Sequence, residues 1–423
     1  MPFAMGTELI GYHDLSDRPG FKMAMQEVDG RFFLYVAAMW EPGLSILDVT
    51  DPTRPQLVRW LEGPPNTWTI QVQVADGKLI MGMEHIPAGW SRGSTAVPPS
   101  DGFLIWDVTT PDDPVRLGTW RSGSTGTHRN FYAGGPIVHA TSALPGFDGQ
   151  LYVAVDISDP EDATVVGRWW WPGQHRDGGE RYSPEDERRL TRAKPFPANG
   201  HEQHGLSLHG GAYVSGDRAY CSWMRGGLVI LDISDQRAPR MVSNLPVHPP
   251  LGSTIALHTA VPLPDRNLVL INSEALRENC DEPVNFAGIV DVTDECDPVL
   301  ISLFPQPRVP DGYPTRTFCA KGGRFGPHNQ HQPQGQPWLQ ESSDLVYLTY
   351  FNAGLQIYDI SEPRDPFIAA SYIPDDPPVR RGPLPSTLVT QVEDVLVDRR
   401  GVIYLSEKNT GLHILGLAGR TAL

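Results

Sequence analysis

The chain has 423 residues, 40% of them hydrophobic, with 42 glycines and 41 prolines. That composition supplies a large apolar core and fits a turn-rich all-β protein. A formal net charge of −16 argues against nucleic acid or an anionic membrane as partner, and no apolar run approaches a membrane span in length.

No apolar secretory segment follows MPFAMGTE, so the expected compartment is the cytoplasm. Four cysteines in so long a chain do not make a disulfide framework. Cys221 lies in a predicted strand and Cys319 in a long loop. Cys280 and Cys296 fall in one repeat, and the sequence leaves open whether they pair.

The first predicted strand, ELIGYHDL (8–15), stands alone. After it one pattern recurs six times: ILDVTDPTRPQLV (46–58), IWDVTTPDDPVRL (105–117), AVDISDPEDATVV (154–166), ILDISDQRAPRMV (230–242), IVDVTDECDPVLI (289–301) and IYDISEPRDPFIA (357–369). A β-branched run favours an extended strand, the Asp and Ser/Thr side chains cap a turn, and Pro presets the turn and declines a ladder bond. Each copy is therefore a hairpin. The copies recur every ~50 to 75 residues, which is four strands plus inserted loops. Residues 388–417 supply only three further strands, so 8–15 is expected to complete them and close a ring without free edges. The prediction is a single domain, a seven-bladed β-propeller, with blades near 20–62, 66–122, 126–171, 202–246, 254–304, 327–374 and 387–417 plus 8–15.

Four insertions, 85–102, 171–202, 275–287 and 305–327, leave the face where each blade's first strand begins and are expected to cap it. Within the second, SPEDERRLTRA (183–193) predicts a short helix, with Ser183 as N-cap, Pro184 at the first position and Asp186 closing a capping box. Trp169, Trp170 and Trp171 are read as packing residues.

The repeated strands LVILDISD (228–235) and LQIYDISE (355–362) resemble the LVIVD-repeat family of β-propellers, and the resemblance runs through nearly the whole chain. It implies the fold and leaves the activity open.

His128 (GTHRNFY), His204 (EQHGLSLH), His258 (ALHTAVPL) and His328 (GPHNQHQP) each open the first strand of a blade, where a ring would bring them to one axis as metal ligands. Glu84 (MGMEH), Glu274 (INSEA) and Glu407 (YLSEK) end second strands at the same level and are expected to orient the imidazoles from outside. His331, His201, His85, Gln391, Trp68, Trp223, Tyr350 and Phe351 are candidates for catalysis or substrate contact, with Gln391, Trp68 and Lys22 lining the channel. His139, His175, His209, His248 and His413 read as structural or exposed.

Imidazole ligands suit a divalent transition metal. Iron is favoured because four imidazoles leave it two open positions; zinc, copper and manganese stay open. By ligand logic, and not by sequence motif, the set is analogous to that of the carotenoid-cleavage oxygenases. No nucleophile elbow, phosphate loop, HExxH or dinucleotide fingerprint offers another chemistry. The expected function is a metal-dependent enzyme on a small, partly apolar organic substrate, an oxygenase or a lyase or hydratase. The alternative is a non-catalytic propeller binding a partner on its upper face. Oligomeric state is not legible.

Overall fold

The computed structural model describes residues 2–86, 97–191, 205–249, 251 and 254–419. They form seven antiparallel sheets, each an up-and-down blade of a propeller. The first blade shows the plan, with Met23–Val28 innermost, then Arg31–Ala37, Gly43–Asp48 and Gln56–Glu62. Apolar side chains from facing blades fill the gaps between sheets, such as Leu34 and Met25 of the first blade against Tyr404 and Leu412 of the seventh.

The recurring Asp caps its turn in every copy. Asp48, Asp107, Asp156, Asp232, Asp291 and Asp359 each accept, through Oδ1, the backbone N–H two residues on, at 2.8 or 2.9 Å. This Asx turn replaces ladder bonds that the chain gives up on reversing. The third and fourth strands then slip register by a bulge at the same place in each copy, for example between Ile46 and Leu47. In the second blade this places Gly118 so close to the next blade's turn that a Cβ there would meet the Pro160 carbonyl oxygen at 1.7 Å.

The ring closes through the N-terminal chain. Thr7–His13 pairs antiparallel with Gly411–Leu417 as the outer strand of the seventh blade, and Phe3–Met5 continues onto Phe367–Ile373 of the sixth. Leu9 points outward and is 46% exposed, so closure rests on ladder bonds and on Ile10, which packs against the core.

One face of the central channel is floored. The chain between His331 and Leu345 crosses it, with the Trp338 indole donating to the Met25 carbonyl at 2.6 Å, Gln340 N–H to Val397 at 3.0 Å and Gln334 N–H to the Tyr213 hydroxyl at 2.8 Å. His331 belongs to this floor. Its Nδ1 accepts from Val397 N–H and its Nε2 faces the Gln340 carbonyl at 2.7 Å, so both nitrogens are spent on backbone. Burial holds it down to about 4.

Loops gather on the opposite face. The predicted helix is present over Pro184–Thr191, with Ser183 Oγ accepting from Asp186 N–H at 3.1 Å. Cys280 is bonded to Cys319, tying the loop after Glu274 to the short helix Phe318–Lys321. Cys296, whose pairing with Cys280 the sequence left open, is a free thiol exposed in the signature turn of its blade. Among the described residues no helix is long and apolar enough to cross a membrane.

Candidate metal centre at the channel mouth

Three inner strands meet the open mouth with a break in their ladders at the functional residue. Register slips between Thr127 and Asn130, between Ile255 and Thr259, and between Val392 and Asp394. A bulge re-aims side chains that strict alternation would send into the sheet packing. It frees His128 with Arg129, His258 and Glu393.

The described residues do not assemble the square of four histidines. His204 and His201 lie outside the described residues. The fourth blade's inner strand is Ala212–Ser215, later than the run HGLSLHG suggests, and His209 stands before it. Gly210 explains the shift, since a Cβ there would lie 1.1 Å from the His258 carbonyl oxygen. Only glycine lets the chain pass so close, and that approach sets His209 beside His258, with ring centroids 5.5 Å apart.

His209, His258 and Glu274 each offer a ligand atom, all within 4.8 Å of one another. Both imidazole Nε2 atoms lie 3.4 Å from Glu274 Oε2. Glu274, expected to orient the imidazoles from outside, thus stands level with two of them as a possible ligand. Arg324 Nη1 and His328 Nε2 approach its other oxygen at 3.4 and 3.7 Å. Although burial opposes ionisation of Glu274, its carboxyl is held well below the glutamate range.

The tautomer of His258 follows from its neighbours. Arg129 Nη2 lies 3.0 Å from His258 Nε2. A guanidinium only donates, so Nε2 must carry the lone pair and Nδ1 the proton. Nδ1–H then donates to Thr259 Oγ1 at 2.8 Å, and that hydroxyl donates to the His328 carbonyl at 3.2 Å. Burial, then Arg129, keeps His258 well below its ordinary value, hence neutral. Burial and the neighbouring His128 hold His209 down to about 4, against Glu274.

His128 stacks on His209 with centroids 4.2 Å apart, and its Nδ1 is 2.7 Å from Glu84 Oε2. Gln150 Nε2 holds the other Glu84 oxygen at 3.1 Å. Burial would raise the Glu84 carboxyl, but His128 overrides it. On the other side His328 stacks on Phe351 at 4.7 Å, and its Nδ1 lies 3.2 Å from Glu393 Oε2. Lys408, at 2.5 Å from Glu393, overcomes burial and brings that carboxyl to about 2.

Several expected site residues serve the scaffold instead. Glu407 accepts from the backbone of Gln391, Asn409 and Thr410, so its carboxylate holds a turn. Gln391 is tied to Arg324 N–H and to the Thr390 carbonyl. Trp223 is fully buried, edge-on to Trp169 at 4.8 Å, and Tyr350 is buried against Phe325. Trp68 packs with Phe21, Met39 and Trp40 in an apolar wall beside the mouth. His85 ends its strand opposite Thr67. Sequence reasoning missed His209, Glu393, Arg129 and Arg324; Gly210-Gly211 before the strand was the available sign for His209.

The LVIVD repeat model matches residues 28–60, 211–246 and 342–373, falling in the first, fourth and sixth blades. The chain is a seven-bladed propeller carrying LVIVD repeats. Among solved structures it is similar to the periplasmic gluconolactonase PpgL of Pseudomonas aeruginosa, at 8% identity and TM-score 0.54, covering 91% of this chain and 99% of that one. A computationally designed protein, Ika8, aligns at 10% identity and TM-score 0.48, covering 96% and 99%. The likeness to PpgL speaks for the fold alone, and that to Ika8 carries no argument. No curated protein matches the sequence.

Proposed function

We propose that this LVIVD-repeat propeller is a metal-dependent enzyme, with a divalent transition metal, iron by preference, held by His209, His258 and Glu274. One observation carries the reading. The His258 Nε2 lone pair is fixed by Thr259 and Arg129 beside the Glu274 carboxylate and His209 Nε2, three possible ligand atoms within 4.8 Å of one another. Two imidazoles and a carboxylate leave coordination positions open, as in iron(II) oxygenases and His₂Glu zinc enzymes. Thr259 acts as the outer partner that orients a ligating imidazole.

Such an ion supplies a Lewis acid and, if iron, a one-electron couple. The chain's own residues supply the rest. Glu84 holds the His128 Nδ1–H, leaving Nε2 to take or return a proton at the mouth. Arg324, close to Glu274, offsets negative charge where substrate enters. Phe351 and the wall of Phe21, Met39 and Trp40 suit the apolar part of a small organic substrate. The reaction proposed is oxygenation or, with Lewis-acid activation alone, lyase or hydratase chemistry.

Cobalt(II) titration of metal-free protein tests the reading. Visible d–d bands saturating near one equivalent are expected for wild type and not for Glu274→Ala. Absence of bands in wild type defeats it.

A further inference from the structure

Two loops on the mouth face are joined covalently. Cys280 lies in the connection that follows Glu274, and its partner Cys319 in the short helix Phe318–Lys321. From the bond the two chains run side by side toward the candidate centre. Asn279 N–H donates to the Gly323 carbonyl at 2.8 Å, and Glu278 forms an antiparallel bridge with Arg324. That register carries the Arg324 guanidinium to 3.4 Å from Glu274 Oε1, and the same segment then delivers His328, 3.7 Å from that oxygen.

Each side is also held within itself. Glu282 Oε1 accepts from Leu276 and Arg277 N–H at 2.8 and 3.0 Å, which closes the loop after Glu274. Lys321 Nζ donates to the Asn352 carbonyl and Arg324 N–H to Gln391 Oε1, both at 3.0 Å, which ties the second segment to the sixth and seventh blades. The disulfide therefore spans a seam between two self-held units. Neither cysteine is sealed in a core, since both are half-buried. Asn279 and Cys280 hold consecutive left-handed backbone, φ 59° at each, which Asn tolerates and Cys adopts at a cost. Exposed or strained disulfides are the ones that thiols open.

We infer that Cys280–Cys319 is a thiol-sensitive clasp on the mouth: closed, it holds Arg324 against Glu274, and opened, it lets the loops part and the bound ion leave faster. Its effect on the ion rests on the metal-centre reading above; the parting of the loops does not. A dithiol is the reductant. One of its thiolates attacks a clasp sulfur, the other clasp sulfur leaves as thiolate, and the second thiol closes the reductant into a cyclic disulfide. Two electrons and two protons thereby pass to Cys280 and Cys319.

Hydrogen–deuterium exchange of the metal-free full chain, before and after reduction with dithiothreitol, tests the clasp itself. Amides of 275–287 and 317–326 should exchange at least about fivefold faster on reduction, and reoxidation should restore them. Release of cobalt(II) to excess EDTA tests the gate. It should quicken at least about fivefold in Cys280→Ala/Cys319→Ala, which leaves no clasp thiol to bind cobalt, and should not change in Cys296→Ser. Wild type reduced and then freed of dithiothreitol decides the matter should the double variant fail to fold. Amide exchange unchanged by reduction overturns the clasp, and faster amides with unchanged cobalt release overturn its hold on the site. Loops that loosen on reduction in a chain that binds no cobalt in either state sink the metal centre and leave the clasp standing.

Discussion

Glu84 Oε2 stands 2.7 Å from His128 Nδ1 and joins the second blade to the third at the rim of the channel. The pair fixes one imidazole tautomer and leaves Nε2 free at the mouth. Glu84→Gln should keep the fold and let the ring exchange tautomers, visible in long-range ¹H–¹⁵N spectra. Because His128 reaches His209 only by stacking, cobalt affinity should fall by no more than about tenfold. A hundredfold loss would place His128 among the ligands.

The N-terminal strand contributes ladder bonds to two blades at once. Removing residues 2–13 should cost several kcal/mol, from lost hydrogen bonds and the packing of Ile10, and should expose the edge of Gly411–Leu417. Urea unfolding and size-exclusion chromatography check this. A monomer with an unchanged midpoint would show that the ring holds without it.

The Cys280–Cys319 bond closes a loop with a sequence separation of 39. Chain entropy alone values such a link at about 3 to 4 kcal/mol. Cys280→Ser, or reduction of the wild type, should lower the melting temperature, and Cys296→Ser should not. Equal melting of oxidised and reduced protein would mean that the loops are held by contacts such as Asn279 N–H to the Gly323 carbonyl.

Much of this was legible because the repeat is a chemical device. A β-branched strand ended by Asp-x-Ser/Thr cannot do much besides turn, and six copies fix blades, ring and mouth. The fourth blade misled because GLSL in HGLSLHG alternates like a strand, while its glycines serve a close crossing over His258. A cysteine pairing between blade loops leaves no periodic trace, so Cys319 was not distinguishable from Cys296. Bulges at His128, His258 and Glu393 break the alternation by which facing residues are assigned, which hid Arg129 and Glu393.

Burial holds His139 and His413 to about 4. Their folded values are depressed, so the unfolded chain takes up protons first, near 6.5. Stability is then full above about pH 6.5 and declines as pH falls toward 4, by up to about 3 kcal/mol per histidine. Urea midpoints should drop between pH 7.5 and 5, less steeply in His413→Gln. A midpoint flat across that range would contradict neutral burial.

Metal content of the purified full chain, measured by inductively coupled plasma mass spectrometry after expression with added iron, manganese and zinc, tests the centre most directly. Wild type should carry about one ion per chain, while His258→Ala and Glu274→Ala should each retain less than about a tenth of it. Wild type free of metal, or either variant with its full complement, would contradict a centre built on His209, His258 and Glu274.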